Sequence, residues 1–164
     1  RDAGRAARLR ENLARLHLGA EVVEADAAAW TPPDGALFDA ILLDAPCTAT
    51  GTIRRHPDVA RLKRPKDVAS QAALQRALLA AAAGMLAPNG RLVLATCSLQ
   101  PEEGEAHLEA ARALGLVIDP FRLKDLPGLE ATMTSRGTLR TRPDLLGEQG
   151  GMDGFFAVRF RRAG

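Results

Sequence analysis

Tyrosine is missing from the 164 residues, and aromatic side chains of all kinds reach only 4%. So few rings argue against a base-stacking platform of the kind an RRM presents to RNA. No apolar run approaches the roughly 20 residues that a membrane span needs. The longest, Ala77 to Ala83, is alanine-rich and lies inside a helical pattern. Cysteine occurs twice, at Cys47 and Cys97, too few for a disulfide framework. No CxxC or HxxxH accompanies the pair, which argues against zinc or any other metal. Free thiols suit a reducing, cytoplasmic setting. The opening Arg1–Asp2–Ala3–Gly4–Arg5 is polar and carries no signal-peptide pattern.

What is present describes one globular domain. Hydrophobic residues make up 46% and charged residues 26%, enough for a core and too apolar for a disordered tail. The net charge of +2 says little about partners, but its distribution says more. Arg54, Arg55, His56, Arg61, Lys63, Arg64 and Lys66 crowd one stretch, relieved by Asp58. A solvated loop face is the plain reading of such a cluster, and nucleic acid the sharper one.

Along the chain, Ala6, Leu9, Leu13 and Leu16 recur at helical spacing, predicting a helix over 3–18 that Gly19 stops. A short strand is expected at 21–26, ending in Asp26, before a loop holding Trp30, Pro32 and Pro33. Residues 38–44 form a near-continuous apolar run, the pattern of a strand buried on both faces. A strong helix follows over 67–87, with Leu74, Leu78, Leu79 and Met85 or Leu86 on one stripe. Pro88–Asn89–Gly90 breaks it, and 91–96 read as a second buried strand. Pro101 opens another helix running to Leu114, with Glu102 and Glu103 in its first turn. Strands are expected again at 116–118 and 155–160, with mostly loop over 122–150. Strands alternating with helices predict a mainly parallel α/β sheet in a single domain.

In such sheets ligands bind beyond the carboxyl ends of the strands. Asp26, Asp44 and Cys97 fall at three such ends. Each has a structural alternative: an aspartate there often forms a turn, and a cysteine is often core filler. The surrounding sequences carry more. Residues 44–58, DAPCTATGTIRRHPD, resemble the DAPCSxxGxxRRHPD segment of Sun/Fmu-type rRNA (cytosine-C5) methyltransferases. Thr96–Cys97–Ser98 with Pro101–Glu102–Glu103 resembles that family's TCSxxPEE, and residues 151–156 match its closing GMDGFF. The order and spacing of these elements fit nearly the whole chain.

The resemblance implies a Rossmann-like fold that uses S-adenosyl-L-methionine, with strand order 3-2-1-4-5-7-6 and an antiparallel last strand. It implies RNA as partner, of the small-subunit 16S type, and a monomer at full length. Asp26 then corresponds to the acid at the adenine end of the cofactor, and Asp44 to the acid at the floor of the site. Pro46 joins these two on the cofactor side. Cys97 corresponds to the nucleophile and Cys47 to the cysteine that assists release. In DNA cytosine methyltransferases the Pro–Cys cysteine attacks instead, so residue chemistry alone leaves both thiols in contention. Arg54, Arg55 and His56 become candidate phosphate contacts.

The family's glycine-rich AAPGGKT loop, the strand and helix around it, and the ribose-binding acid have no counterpart here. Asp2 lies near the position of that acid but two residues late. The chain is therefore expected to hold the C-terminal part of a single methyltransferase domain, residues 1–164, without its first strands. A non-catalytic RNA-binding fragment is the alternative. A Rossmann oxidoreductase is disfavoured, with neither GxGxxG nor a Tyr–Lys pair.

Overall fold

The computed structural model describes residues 3–162; Arg1 and Asp2, and with them the comparison of Asp2 to the ribose acid, lie outside. Helices α1 (Ala3–Arg15), α2 (Val59–Leu62), α3 (Pro65–Gly84) and α4 (His107–Ala113) accompany five strands. These are β1 (Phe38–Asp44), β2 (Leu86–Thr96), β3 (Leu116–Ile118), β4 (Leu139–Arg140) and β5 (Phe156–Arg162).

The sheet order is β1-β2-β5-β3, with β4 also pairing β5. β1 and β2 are parallel, joined through α3, and β5 inserts antiparallel between β2 and β3. That is the 4-5-7-6 half of the sheet expected above, in an α/β Rossmann-like arrangement. Alternation explains the core. Leu92, Leu94 and Thr96 on β2 and Phe156, Val158 and Phe160 on β5 are fully buried, while their neighbours face outward. α3 closes this face through Leu79, Ala82 and Ala83.

Several local expectations change. Residues 21–26 form no strand. A strand needs a neighbour for its backbone hydrogen bonds, and among the described residues no strand pairs with this segment. It leans on α1 instead, where Arg10 pairs with Glu24 at 2.9 Å. α1 buries no side chain, and Leu9 and Leu16 are half exposed. β1 is not covered on both faces: Ile41 and Leu43 pack on the core, but Leu42 is 74% exposed. Among the described residues its outer edge is unpaired. An apolar cavity of about 370 Å³ runs along it, lined in part by Trp30, Phe38 and Leu42. On α3, Leu74 faces solvent while Leu78 and Leu79 are buried, and Leu86 belongs to β2. Asn89 accommodates the turn inside β2 with φ +61°, a left-handed conformation that asparagine tolerates.

An open, apolar edge strand invites pairing with another chain. The 164-residue chain is expected to self-associate as concentration rises, and Leu42→Lys to shift it toward monomer. Light scattering across a dilution series checks this; equal behaviour of the two proteins would refute it.

Candidate active site

β1 and β2 run side by side and end together, with Asp44 opposite Ala95. The Ala45 amide adds one more ladder bond to the Ala95 carbonyl at 3.0 Å. Pro46 then cannot donate, and the chain turns off the sheet. Cys47 and Cys97 therefore leave adjacent strand ends, and their Sγ atoms lie 3.3 Å apart, both half-buried.

Glu103 holds the two exits together, and sequence reasoning missed its role. It is fully buried. Its Oε1 accepts from the Thr48 amide at 2.9 Å and from Gln75 Nε2 at 3.3 Å. Its Oε2 accepts from the Thr48 and Ser98 hydroxyls, each at 2.5 Å. Thr48 follows Cys47 and Ser98 follows Cys97, so one carboxylate grips both thiol loops. Gln75 also donates to the Pro46 carbonyl at 2.8 Å and, through Oε1, accepts from His107 Nε2 at 2.7 Å. That network makes Nε2 the protonated ring nitrogen. Burial, helped by Arg76, lowers the pKa of His107 and favours the neutral ring.

The expected helix from Pro101 is a single 3-10 turn, Pro101–Glu103, and α4 begins at His107. Glu103 points inward to four donors, and the three-residue turn is too short to present a long helix dipole to Cys97. The Cys97 thiol is nevertheless lowered to about 7. A hydrogen bond from Cys47 is the largest cause, and the Cys97 amide helps; burial and the charges of Asp44 and Glu103 oppose it. Cys47 is pushed upward by the same hydrogen bond and by burial. The pair is thus uneven, with Cys97 the more acidic thiol and Cys47 the less acidic.

The closing motif completes the site. The Gly51 amide donates to the Cys97 carbonyl at 3.0 Å, and Gly154 to the Gly51 carbonyl at 2.8 Å. A Cβ on Gly51 would overlap the Gly154 carbonyl, so glycine is required there. Arg55 forms a two-pronged ion pair with Asp153, and Arg54 lies 3.8 Å from the same carboxylate. Both arginines remain about half exposed.

Of the residues singled out in the sequence, the structure brings together Asp44, Pro46, Cys47 and Cys97, with Arg54 and Arg55 on the adjoining loop. His56 lies exposed on that loop, its amide bonded to the Thr52 carbonyl at 2.9 Å. Asp26 stands on the irregular segment rather than at a strand end, its carboxylate accepting from the Ala28 amide at 3.2 Å.

A half Rossmann-like sheet whose adjoining parallel strands β1 and β2 deliver two thiols to one point fits a methyltransferase-type domain. A sequence model of the family described as 16S rRNA methyltransferase RsmB/F matches residues 1–161, and the chain belongs to that family. Ribosomal RNA small subunit methyltransferase B of Pseudomonas syringae pv. tomato is 45% identical over 164 residues, 96% of this chain and 35% of that protein. The protein of the same name from Sodalis glossinidius is 52% identical over 112 residues, covering 66% of this chain and 25% of the relative. The chain thus spans about a quarter to a third of these relatives. The crystal structure of NSun6 from Pyrococcus horikoshii with SFG superposes with TM-score 0.81 at 28% identity. It matches 99% of this chain and 40% of the other.

Two outcomes are expected. Iodoacetamide should modify Cys97 before Cys47, with a rate that rises through pH 7 as the thiolate forms. Cys47→Ala removes the hydrogen bond and should move that midpoint upward; mass-mapped alkylation against pH reads it, and an unmoved midpoint contradicts the cause given. Glu103→Ala leaves buried donors on Thr48, Ser98 and Gln75 unpaired and should cost about 3 kcal/mol. Urea unfolding checks this, and a loss under about 1 kcal/mol would contradict it.

Proposed function

We propose that the chain carries the thiol half of an S-adenosyl-L-methionine-dependent RNA (cytosine-C5) methyltransferase site, acting on 16S rRNA in the cytoplasm. The single observation that carries this is the thiol pair, with the Cys47 and Cys97 sulfurs 3.3 Å apart at adjoining strand ends. Family membership and the names of the relatives support the substrate class.

Cytosine C5 is a poor nucleophile. Attack of the Cys97 thiolate on C6 breaks the aromaticity of the ring and makes C5 enamine-like. S-adenosyl-L-methionine, when bound, supplies the methyl group that C5 accepts. A base then takes the C5 proton, the C6–S bond breaks, and its electron pair returns to Cys97. Cys47, donating to that sulfur, stabilises it as nucleophile and again as leaving group. Asp44 and Pro46, exposed at the end of β1 beside the thiols, fit the cofactor side of the site, and Asp26 is assigned to the adenine end. Arg54, Arg55 and His56 are assigned to RNA phosphates, with Arg54 and His56 freer to serve because Asp153 holds Arg55. The base must be presented unstacked, which favours a single-stranded or locally opened RNA segment.

We also propose that residues 1–164 form the C-terminal part of the domain. The free edge of β1 and the absence of an AAPGGKT-like loop support that reading. They equally keep open a chain that, taken alone, binds RNA without methylating it.

In a chain extended to the relatives' full length, Cys97→Ala is expected to abolish methylation. Cys47→Ala should instead accumulate an enzyme–RNA adduct that survives denaturing gels. The opposite pattern would reverse the two assignments.

A further inference from the structure

A second cavity, of about 550 Å³, opens beside the thiol loops. Its size lies within the range of small-ligand pockets. It begins where the thiol loops end: Thr50 and Leu99 line it, and the Leu99 amide donates to Thr50 Oγ1 at 3.0 Å. Thr50 stands three residues after Cys47 and Leu99 two after Cys97. Ile53, Val59, Val68 and Leu99 give it apolar walls. Lys63 and Arg64 line its far side, on the link between α2 and α3.

That link is extended because Arg64 precedes Pro65, and a residue before proline is driven out of the helical region. Among the described residues neither Lys63 nor Arg64 is ion-paired, whereas Arg55 is held by Asp153. Glu102 supplies the lone acidic side chain of the lining. An apolar slot with two unpaired cations at one end suits a base and its phosphate.

We propose that this cavity is a subsite for the nucleotide next to the cytosine under attack. Its base sits against Ile53, Val68 and Leu99, and its phosphate meets Lys63 and Arg64. The assignment rests on the RNA methyltransferase reading above. It names the cavity as the place where the sequence context of the target cytosine is sensed.

The test is fluorescence anisotropy of the 164-residue chain with a short single-stranded RNA carrying one cytosine. Companion RNAs have an abasic site at either neighbour of that cytosine. Intact RNA is expected to bind about tenfold more tightly than the RNA lacking one particular neighbouring base, within what one base contact is worth. Val68→Trp fills the slot and should erase that tenfold difference. Ala69→Phe, on the same wall but solvent-exposed, serves as a second filler should Val68→Trp disturb folding. Replacing Lys63 and Arg64 by Gln should weaken intact and abasic RNA equally and flatten the salt dependence. Equal binding of intact and both abasic RNAs overturns the subsite, as does discrimination that survives both fillers. If the unaltered chain does not bind the intact RNA at all, the RNA reading itself fails, and the subsite with it.

Discussion

The site depends on one buried carboxylate. Glu103 lies beneath the junction of two strand exits, and a carboxylate there is costly unless donors surround it. Thr48 supplies its amide and hydroxyl, Ser98 its hydroxyl and Gln75 its side-chain amide. None of these is optional, because withdrawing one leaves both a buried acceptor and a buried donor short. The loop after β1 and the loop after β2 therefore order together, and the sulfur spacing follows from that shared grip. Gln75 carries the constraint into α3, and His107 carries it into α4. A reactive pair that would otherwise sit on two independent turns is thus fixed by the core.

The same logic explains why residues 151–156 belong to the site though they touch neither sulfur in any polar contact. The Gly154 amide donates to the Gly51 carbonyl at a separation that admits no side chain. Asp153 then takes Arg55, whose guanidinium holds the acid below the usual carboxylate range. One of the arginines after the thiol loop is spent on closing the fold. The remaining positive reach toward a polyanion passes to Arg54, His56, Lys63 and Arg64, which moves the expected path of an RNA strand toward the α2–α3 link.

Much of this was legible in the sequence because it rests on local pattern. Alternation and apolar runs located β1, β2, β3 and β5, and the paired DAPC and TCS segments put both thiols at strand ends. What was not legible depends on partners distant in the chain. Glu103 read as a helix-opening acid since nothing in PEE reveals that Thr48, fifty-five positions earlier, would meet it. Residues 21–26 had strand composition, but a neighbouring strand makes a strand, and among the described residues none pairs with this segment. Leu42 read as buried on both faces because hydrophobicity states what a side chain prefers, not whether a neighbouring layer is there to cover it.

The asymmetry of the thiol pair also has a consequence for the chemistry proposed above. Two sulfurs 3.3 Å apart, with the charges of Asp44 and Glu103 opposing ionisation of Cys97, disfavour a double thiolate. While Cys97 is the thiolate, its pull is the largest cause keeping Cys47 protonated. In that chemistry Cys97 is uncharged while bonded to carbon, and burial and the charge of Glu103 still favour the protonated form of Cys47. When the C6–S bond breaks, the Cys47 thiol is in place to stabilise the charge returning to Cys97, and this requires only that the two loops stay as close as Glu103 holds them.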